Sequence, residues 1–436
     1  MSEWWIILSI GLALLVGLFM TGAPIFLAFL VMIVSGVAFT MGDAGFGMVV
    51  NSMRDTASNT SLGTLALFIL LGEILFRSGC VELLMTSIDK LVGRVKGRQY
   101  VLSISLATVL GALSGSAMAV AAMMGRSMLP IMVERKYDLR LSIGTILGGA
   151  CLAPIIPPSI LAIIVATMAN VSVASLLIAG IIPGLFLAVL FVGACVIKIR
   201  IDPSLAPSEE HTEKVSGAEK LRALAGMLPF SAIIFMVIGL VVLGIATPSE
   251  SAATGVVGGL LTAGYYRRLT FKMLYESVGE AAVLSAVIML ILVSAVMFTQ
   301  LLAFTGATAA VTHLVTSLDA NAWVMLFLLM LLPFILCMFI DAIGLMLVLI
   351  PIYIPIVSAL NFDPIWFWLL FLLNITLGGI TPPLGYVMFA LKASAPQVPM
   401  SDVFGAAWLF VGMTLFGMLI MAIYPPIVTF LPNLLR

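Results

Sequence analysis

From Trp4 to Leu431 the chain is a succession of apolar runs, each of the roughly 17–25 residues that carry a helix across a bilayer, with only one strongly polar interval longer than a dozen residues. Backbone groups inside hydrocarbon must find partners within the protein, which such runs do as helices. The chain therefore reads as an all-α polytopic membrane protein. Of its 436 residues 62% are hydrophobic and 9% charged, where soluble domains have about 45–50% and about 25%, so a water-soluble enzyme is excluded. Twenty Lys plus Arg against twenty Asp plus Glu leave no basic field for nucleic acid. Cys80, Cys151, Cys195 and Cys337 lie far apart, as do His211 and His313. No zinc, haem or other cofactor has a visible ligand set.

Charge placement orients the spans. Lys90, Arg94, Lys96 and Arg98 form one basic group; Arg135, Lys136 and Arg140, then Lys198 to Arg222, Arg267 to Lys272 and finally Lys392 follow. The positive-inside rule assigns these to the cytoplasm. The connections at 170–172, 247–251, 304–321 and 362–364 carry no Lys or Arg and are expected outside. Spans 4–20, 24–41 and about 58–77 then place the N-terminus outside. Met1 to Trp5 has neither a positive n-region nor a small-residue cleavage site, so the first run reads as a retained helix rather than a signal peptide.

The stretch 100–133 begins and ends beside basic groups, as expected of a re-entrant hairpin or an ordinary pair of spans. Segment 141–169 crosses outward, 175–197 returns, and the polar stretch that follows reads as a linker. Beyond it the order repeats with inside and outside exchanged. Spans 224–246 and 250–265 mirror the first two, 280–303 the third, a hairpin at 322–360 the first hairpin, 364–391 the span 141–169, and 402–432 the span 175–197. The expected organisation is a first inverted repeat over 1–198, a cytoplasmic linker over 199–223 and a second repeat over 224–436. Breaker residues keep this register. Pro24 stands almost as far before Pro157 as Pro248 before Pro382, and Ser114 stands nearly as far before Pro157 as Asp341 before Pro382. Inverted repeats with helices interrupted at matching places mark secondary transporters, whose sites lie where the interruptions meet.

Ala153-Pro154-Ile155-Ile156-Pro157-Pro158-Ser159 packs three prolines into one short stretch, and no continuous helix survives the loss of those donors. Gly378-Gly379-Ile380-Thr381-Pro382-Pro383-Leu384-Gly385 repeats the device. Such backbone at membrane depth must be buried in protein or line a cavity. In the first hairpin, Ser114-Gly115-Ser116 offers a turn, two hydroxyls and freed carbonyls to a small cation, although the segment alone reads first as small-residue helix packing. Asp341 lies at the centre of the second hairpin, opposite Ser114 in the expected register; an intramembrane carboxylate implies function, with N-capping as a compatible second role. Glu73 and Arg77 are expected to pair as i,i+4 neighbours. Arg126 either snorkels to the cytoplasm or contacts an anionic substrate. Trp4, Trp5, Trp323, Trp366 and Trp368 are expected as interfacial anchors.

Taken in order, Gly22-Ala23-Pro24, Leu71-Gly72-Glu73 with Ser78-Gly79, Leu113-Ser114-Gly115-Ser116-Ala117, the Ala153 to Ser159 segment, Ala179-Gly180-Ile181-Ile182-Pro183-Gly184, Thr247-Pro248-Ser249-Glu250-Ser251-Ala252-Ala253, Asp341, Asp363-Pro364 and Ile380-Thr381-Pro382-Pro383-Leu384-Gly385 resemble the large membrane subunit of tripartite ATP-independent periplasmic (TRAP) transporters over essentially the full length. The resemblance implies a sodium-coupled elevator transporter of the bacterial inner membrane, with Na⁺ as coupling ion. It implies two partners, a small four-helix membrane subunit, here a separate chain because no further helical block precedes Trp4, and a periplasmic binding protein that delivers a small carboxylate. It places one sodium site, with the substrate cleft beside it, at Ser114, Gly115, Ser116 and the break containing Pro154, Pro157, Pro158 and Ser159. Asp341, Gly344, Gly378, Gly379, Thr381, Pro382 and Pro383 would form the other. Thr64 to Phe68 lacks the proline expected there, and Arg126 occupies a position usually small or apolar.

Other classes have less support. A stand-alone sodium/divalent-anion symporter shares the inverted-repeat elevator but needs no binding protein. An intramembrane protease lacks its partner residues, a channel does not need matched breaks, and no GxxxxGK[ST] pattern supports an ATP-driven pump.

Overall fold

The computed structural model describes residues 4–58, 61–79, 86–91, 96–207, 216–318 and 320–434. Among these every regular element is helical, and six helices are long and apolar enough to cross a membrane. Met1 to Glu3, Cys80, Arg94 and the polar run from Ser208 to Lys214, with His211, lie outside the described residues.

The stretch 100–133 is a hairpin: an arm Arg98–Ser114, a turn, then Ala117–Ser127 and Leu129–Glu134. Its two ends meet where Tyr137 packs edge-on against Tyr100, centroids 5.0 Å apart. The Tyr100 hydroxyl accepts from the Asp138 amide at 3.1 Å and donates to the Leu205 carbonyl at 2.5 Å. The second hairpin has arms Ala322–Leu336 and Ala342–Ala359, joined by a hydrogen bond from the Tyr353 hydroxyl to the Leu329 carbonyl at 3.0 Å. Both expected interrupted spans are interrupted. The first is Leu139–Cys151 followed by Ile160–Met168, and the second is Pro364–Gly378 followed by Tyr386–Ser394.

Local devices recur at one constant offset along the chain. Lys136 and Asn361 both take a positive φ, 60° and 53°, and two positions later Asp138 and Asp363 cap their helices by accepting from Leu141 and Trp366 amides at 2.7 and 2.9 Å. Such Asp caps satisfy one of the orphan donors at a helix start. Pro157-Pro158 and Pro382-Pro383, at the same offset, are both cis. The first halves of the two interrupted spans form the centre of the molecule, since Leu141 to Cys151 and Ile365 to Gly378 are buried at every residue, as befits helices apolar on all faces. They meet where Cys151 lies beside the side chain of Thr376, its counterpart by that same offset. Helix Met400–Ile423 locks onto this centre by setting the Phe410 ring over Gly144 and Gly148, and a Cβ at Gly144 would approach that ring to 2.6 Å.

Several expected boundaries move. The connection 41–57 contains a helix, Asp43–Ala57, tied to the long helix Phe271–Phe304 by the Ser52 hydroxyl donating to Gln300 Oε1 at 2.6 Å. The connection 304–321 likewise holds Ala307–Ser317. The span expected at 280–303 starts at Phe271, where Thr270 caps it. The linker shortens at both ends, because the preceding helix runs to Ile201 and the next begins at Gly217 behind a Ser216/Glu219 capping box. Its own turn is held by Asp202, whose carboxyl is kept below the usual range by hydrogen bonds from the Ser204 hydroxyl and amide. The last span ends at Ile423, and Pro426–Asn433 is a separate helix. Trp366 and Trp368 are not interfacial: both are buried, and the Trp366 indole donates to the Met421 carbonyl at 2.9 Å.

Candidate functional site

The first hairpin turns on Gly115, which holds a φ of 62° open to glycine at little steric cost. Its amide closes the first arm onto the Gly111 carbonyl at 2.7 Å. A Cβ here would lie 3.0 Å from the Pro158 carbonyl, so the tip rests directly on the first break. Ser116 then starts the second arm, its hydroxyl accepting from the Ala119 amide at 3.3 Å, while the Ser114 hydroxyl accepts from the Ser116 amide at 3.4 Å. At the second tip Asp341 caps its arm by accepting from the Ile343 amide at 2.9 Å. The structural counterpart of Asp341 is thus Ser116, since the two N-caps stand equally far before their Pro-Pro pairs, rather than Ser114 as the spacing had suggested.

The first break closes on itself. Ser159 is fully buried, donates to the Pro154 carbonyl and accepts from the Ala162 amide at 3.1 Å, so one hydroxyl satisfies both a freed carbonyl and a helix start. In the second break Thr381 returns its hydroxyl to the Leu377 carbonyl at 2.7 Å and the Val387 amide reaches back to the Gly379 carbonyl at 3.0 Å. No side chain caps the helix Tyr386–Ser394 at Gly385.

These pieces surround a cleft of about 290 Å³. The starts of four helices border it, Ala117–Ser127, Ile160–Met168, Ala342–Ala359 and Tyr386–Ser394, and the facing wall is made by Ser61–Arg77 and Phe271–Phe304. Each helix start carries a partial positive charge from its unpaired amides. Among the described lining residues there is no Lys, Arg or His; the ionisable ones are Glu73, Asp341 and Tyr386. Hydroxyl and carbonyl oxygens at the tips and breaks are suited to Na⁺, and the helix starts to a carboxylate.

Of the residues expected at the site, Ser114, Gly115, Ser116, Pro154 and Asp341 line this cleft. Pro157, Pro158 and Ser159 are buried behind Pro154. Gly378 lies against Cys337, close enough that a Cβ would collide with the Cys337 side chain, and Gly379 lies against the Tyr386 ring. Thr381, Pro382 and Pro383 stand outside the lining, Pro383 being exposed. Gly344 faces Phe19 and Ile25. Arg126 is exposed, its Nε donating to the Ala122 carbonyl at 3.4 Å, and it does not border the cleft.

Tyr386 is one lining residue that motif reading missed. Its signal is its place as the first helical residue after the break. Leu284 and Ile288, on the facing wall, carry no sequence signal beyond hydropathy. Glu73 accepts from Arg77 at 2.8 Å as expected, but Arg77 also reaches Glu276 at 3.1 Å. Glu73 and Phe76 border both the cleft and an adjoining cavity of about 480 Å³ lined by Arg77, Lys272, Glu276 and Glu280.

Comparison with known proteins places this arrangement. The chain is similar over 92% of its length to the YdaH transporter of Alcanivorax borkumensis, with a TM-score of 0.64 over 97% of that chain at 14% identity, which shows a shared fold. It is 28% identical to the ectoine TRAP transporter large permease protein of Halomonas elongata, covering 98% of this chain and 99% of that one. It is likewise 28% identical to the C4-dicarboxylate TRAP transporter large permease protein of Pseudomonas aeruginosa (87% and 88%), and 27% identical to the 2,3-diketo-L-gulonate TRAP transporter large permease protein of Escherichia coli (88% and 89%). Residues 12–427 match the family model of the tripartite ATP-independent periplasmic transporter, DctM component. The chain belongs to that family: it is a multi-pass membrane protein and a TRAP transporter large permease subunit, not an enzyme.

Proposed function

We propose that this permease uses an inward sodium gradient to take up a small organic acid. The observation that carries the proposal is the cleft itself: four helix starts converge on it, and no cationic side chain among its described lining residues competes for an anion. A carboxylate then finds its partners in backbone amides, while Na⁺ is held by the oxygens of Ser114, Ser116 and Asp341 and by the carbonyls of the two breaks. The recurrence of caps and turns at one offset supports two repeats of opposite orientation, and the facing wall of Ser61–Arg77 and Phe271–Phe304 supports an elevator in which hairpins and breaks move as one body against it.

Family membership supports two partners, a small membrane subunit and a periplasmic binding protein that delivers substrate, and placement in a bacterial inner membrane with the N-terminus periplasmic. The relatives are named for ectoine, C4-dicarboxylates and diketogulonate, so the acid is not given by family alone.

The test is uptake into proteoliposomes holding this chain and its small membrane partner, with and without the cognate binding protein, under an inward sodium gradient. Uptake that needs both sodium and the binding protein is expected. Sodium-driven uptake by this chain alone would move it to the stand-alone symporters, and sodium-independent uptake would sink the ion sites.

A further inference from the structure

Away from the two tips, the cleft wall changes character. Ile69 and Phe76 on Ser61–Arg77, Met118 and Leu161 beside the helix starts, and Leu284 and Ile288 on the long helix give it an apolar lining. Resting on the sodium-coupled organic-acid reading, we infer that the transported acid is a monocarboxylate with an unbranched-to-branched aliphatic or aromatic body, carrying few or no hydroxyls and no second acid group.

The physics is one of unmatched partners. One carboxylate is served by the backbone amides left over at the helix starts that border the cleft. A second, at the far side of the same molecule, would lie against apolar side chains or beside the Glu73 carboxylate, with no cation among the described lining residues to receive it; Arg77, in the adjoining cavity, is already engaged by Glu73 and Glu276. A polyhydroxylated acid would lose water from each hydroxyl without a replacement donor or acceptor on this wall, and unpaired polar groups are costly to bury. An apolar body instead removes its own surface and that of the wall from water together. Tyr386 and Asp341 both border the cleft, so a single oxo or hydroxyl group close to the carboxylate keeps a polar neighbour.

Two measurements test this in proteoliposomes containing the chain, its small membrane partner and the cognate binding protein. Under an inward sodium gradient, uptake of labelled 4-methyl-2-oxopentanoate should exceed that of succinate and of gluconate at least tenfold. Succinate or gluconate uptake equal to or above it would overturn the inference while leaving the sodium-coupled reading intact; absence of sodium-driven uptake with all three acids would remove both. Next, Ile288→Thr should lower the ratio of 4-methyl-2-oxopentanoate to pyruvate uptake at least threefold while pyruvate uptake persists. The binding protein is the same throughout, so a changed ratio belongs to this chain. Retained pyruvate uptake shows that the variant is folded, and Ile288→Val, expected to leave the ratio within twofold, controls for packing. An unchanged ratio in Ile288→Thr would overturn the role of the wall.

Discussion

The two breaks share their prolines and differ in how they end. Ser159 and Leu384 occupy the same register, each directly after its Pro-Pro pair. Ser159 is fully buried and ties the start of its helix to the Pro154 carbonyl. Leu384 is 51% exposed, and the helix after it has no side-chain cap. The reason lies one residue further on. Gly385 packs so closely on the Gly379 carbonyl that a Cβ would sit 2.7 Å from its oxygen, which bars every capping side chain. The first break is also covered from outside, since Gly180 leaves room for the Ile155 carbonyl where a Cβ would collide with it. One break is thus a sealed structural joint. The other starts its helix without a side-chain cap, the Val387 amide returning to the Gly379 carbonyl instead.

The comparison can be broken at several points. Gly180→Ala should do most harm, because its Cβ meets backbone rather than a movable side chain: about 3 kcal/mol of destabilisation, read as a lower unfolding temperature of the purified chain in detergent. A stable Gly180→Ala variant would remove the seal from the description. Ser159→Ala should cost about 2 kcal/mol, combining a lost cap with a buried carbonyl left unpaired. For the hairpin tips, Ser116→Ala should cost about 1 kcal/mol as a lost cap. Asp341→Asn retains a capping oxygen, and its stability should stay within about 0.5 kcal/mol while sodium-driven uptake falls at least tenfold; uptake at the original level would reduce Asp341 to a cap. Leu384→Ala, at the exposed position, should change stability by less than about 0.5 kcal/mol. A larger effect would mean that the second break is covered after all.

Much of this arrangement was legible in the chain. Prolines at membrane depth have few structural uses, so both breaks could be read directly, whereas Ser114-Gly115-Ser116 alone reads first as small-residue helix packing. What hydropathy could not distinguish was lipid from protein as the surroundings of an apolar helix: Pro364–Gly378 reads like any span yet is buried from Ile365 to Gly378, taking Trp366 and Trp368 with it. Helix Asp43–Ala57 escaped because its polar and apolar residues cancel in a hydropathy average. The second partner of Arg77, Glu276, is far off along the chain, and only folding brings it near. Tyr386 was overlooked because an aromatic residue after a break reads as packing until the cleft in front of it is seen.

The contact between Cys151 and Thr376 has one more implication. These two residues stand at the same offset as the paired Asp caps and the paired Pro-Pro bonds, and they face each other at the buried centre of the molecule. With both side chains almost wholly out of reach of solvent, a larger residue at either position presses on the neighbouring helix as well as on its own, so a gain in volume on one side has to be met by a loss on the other.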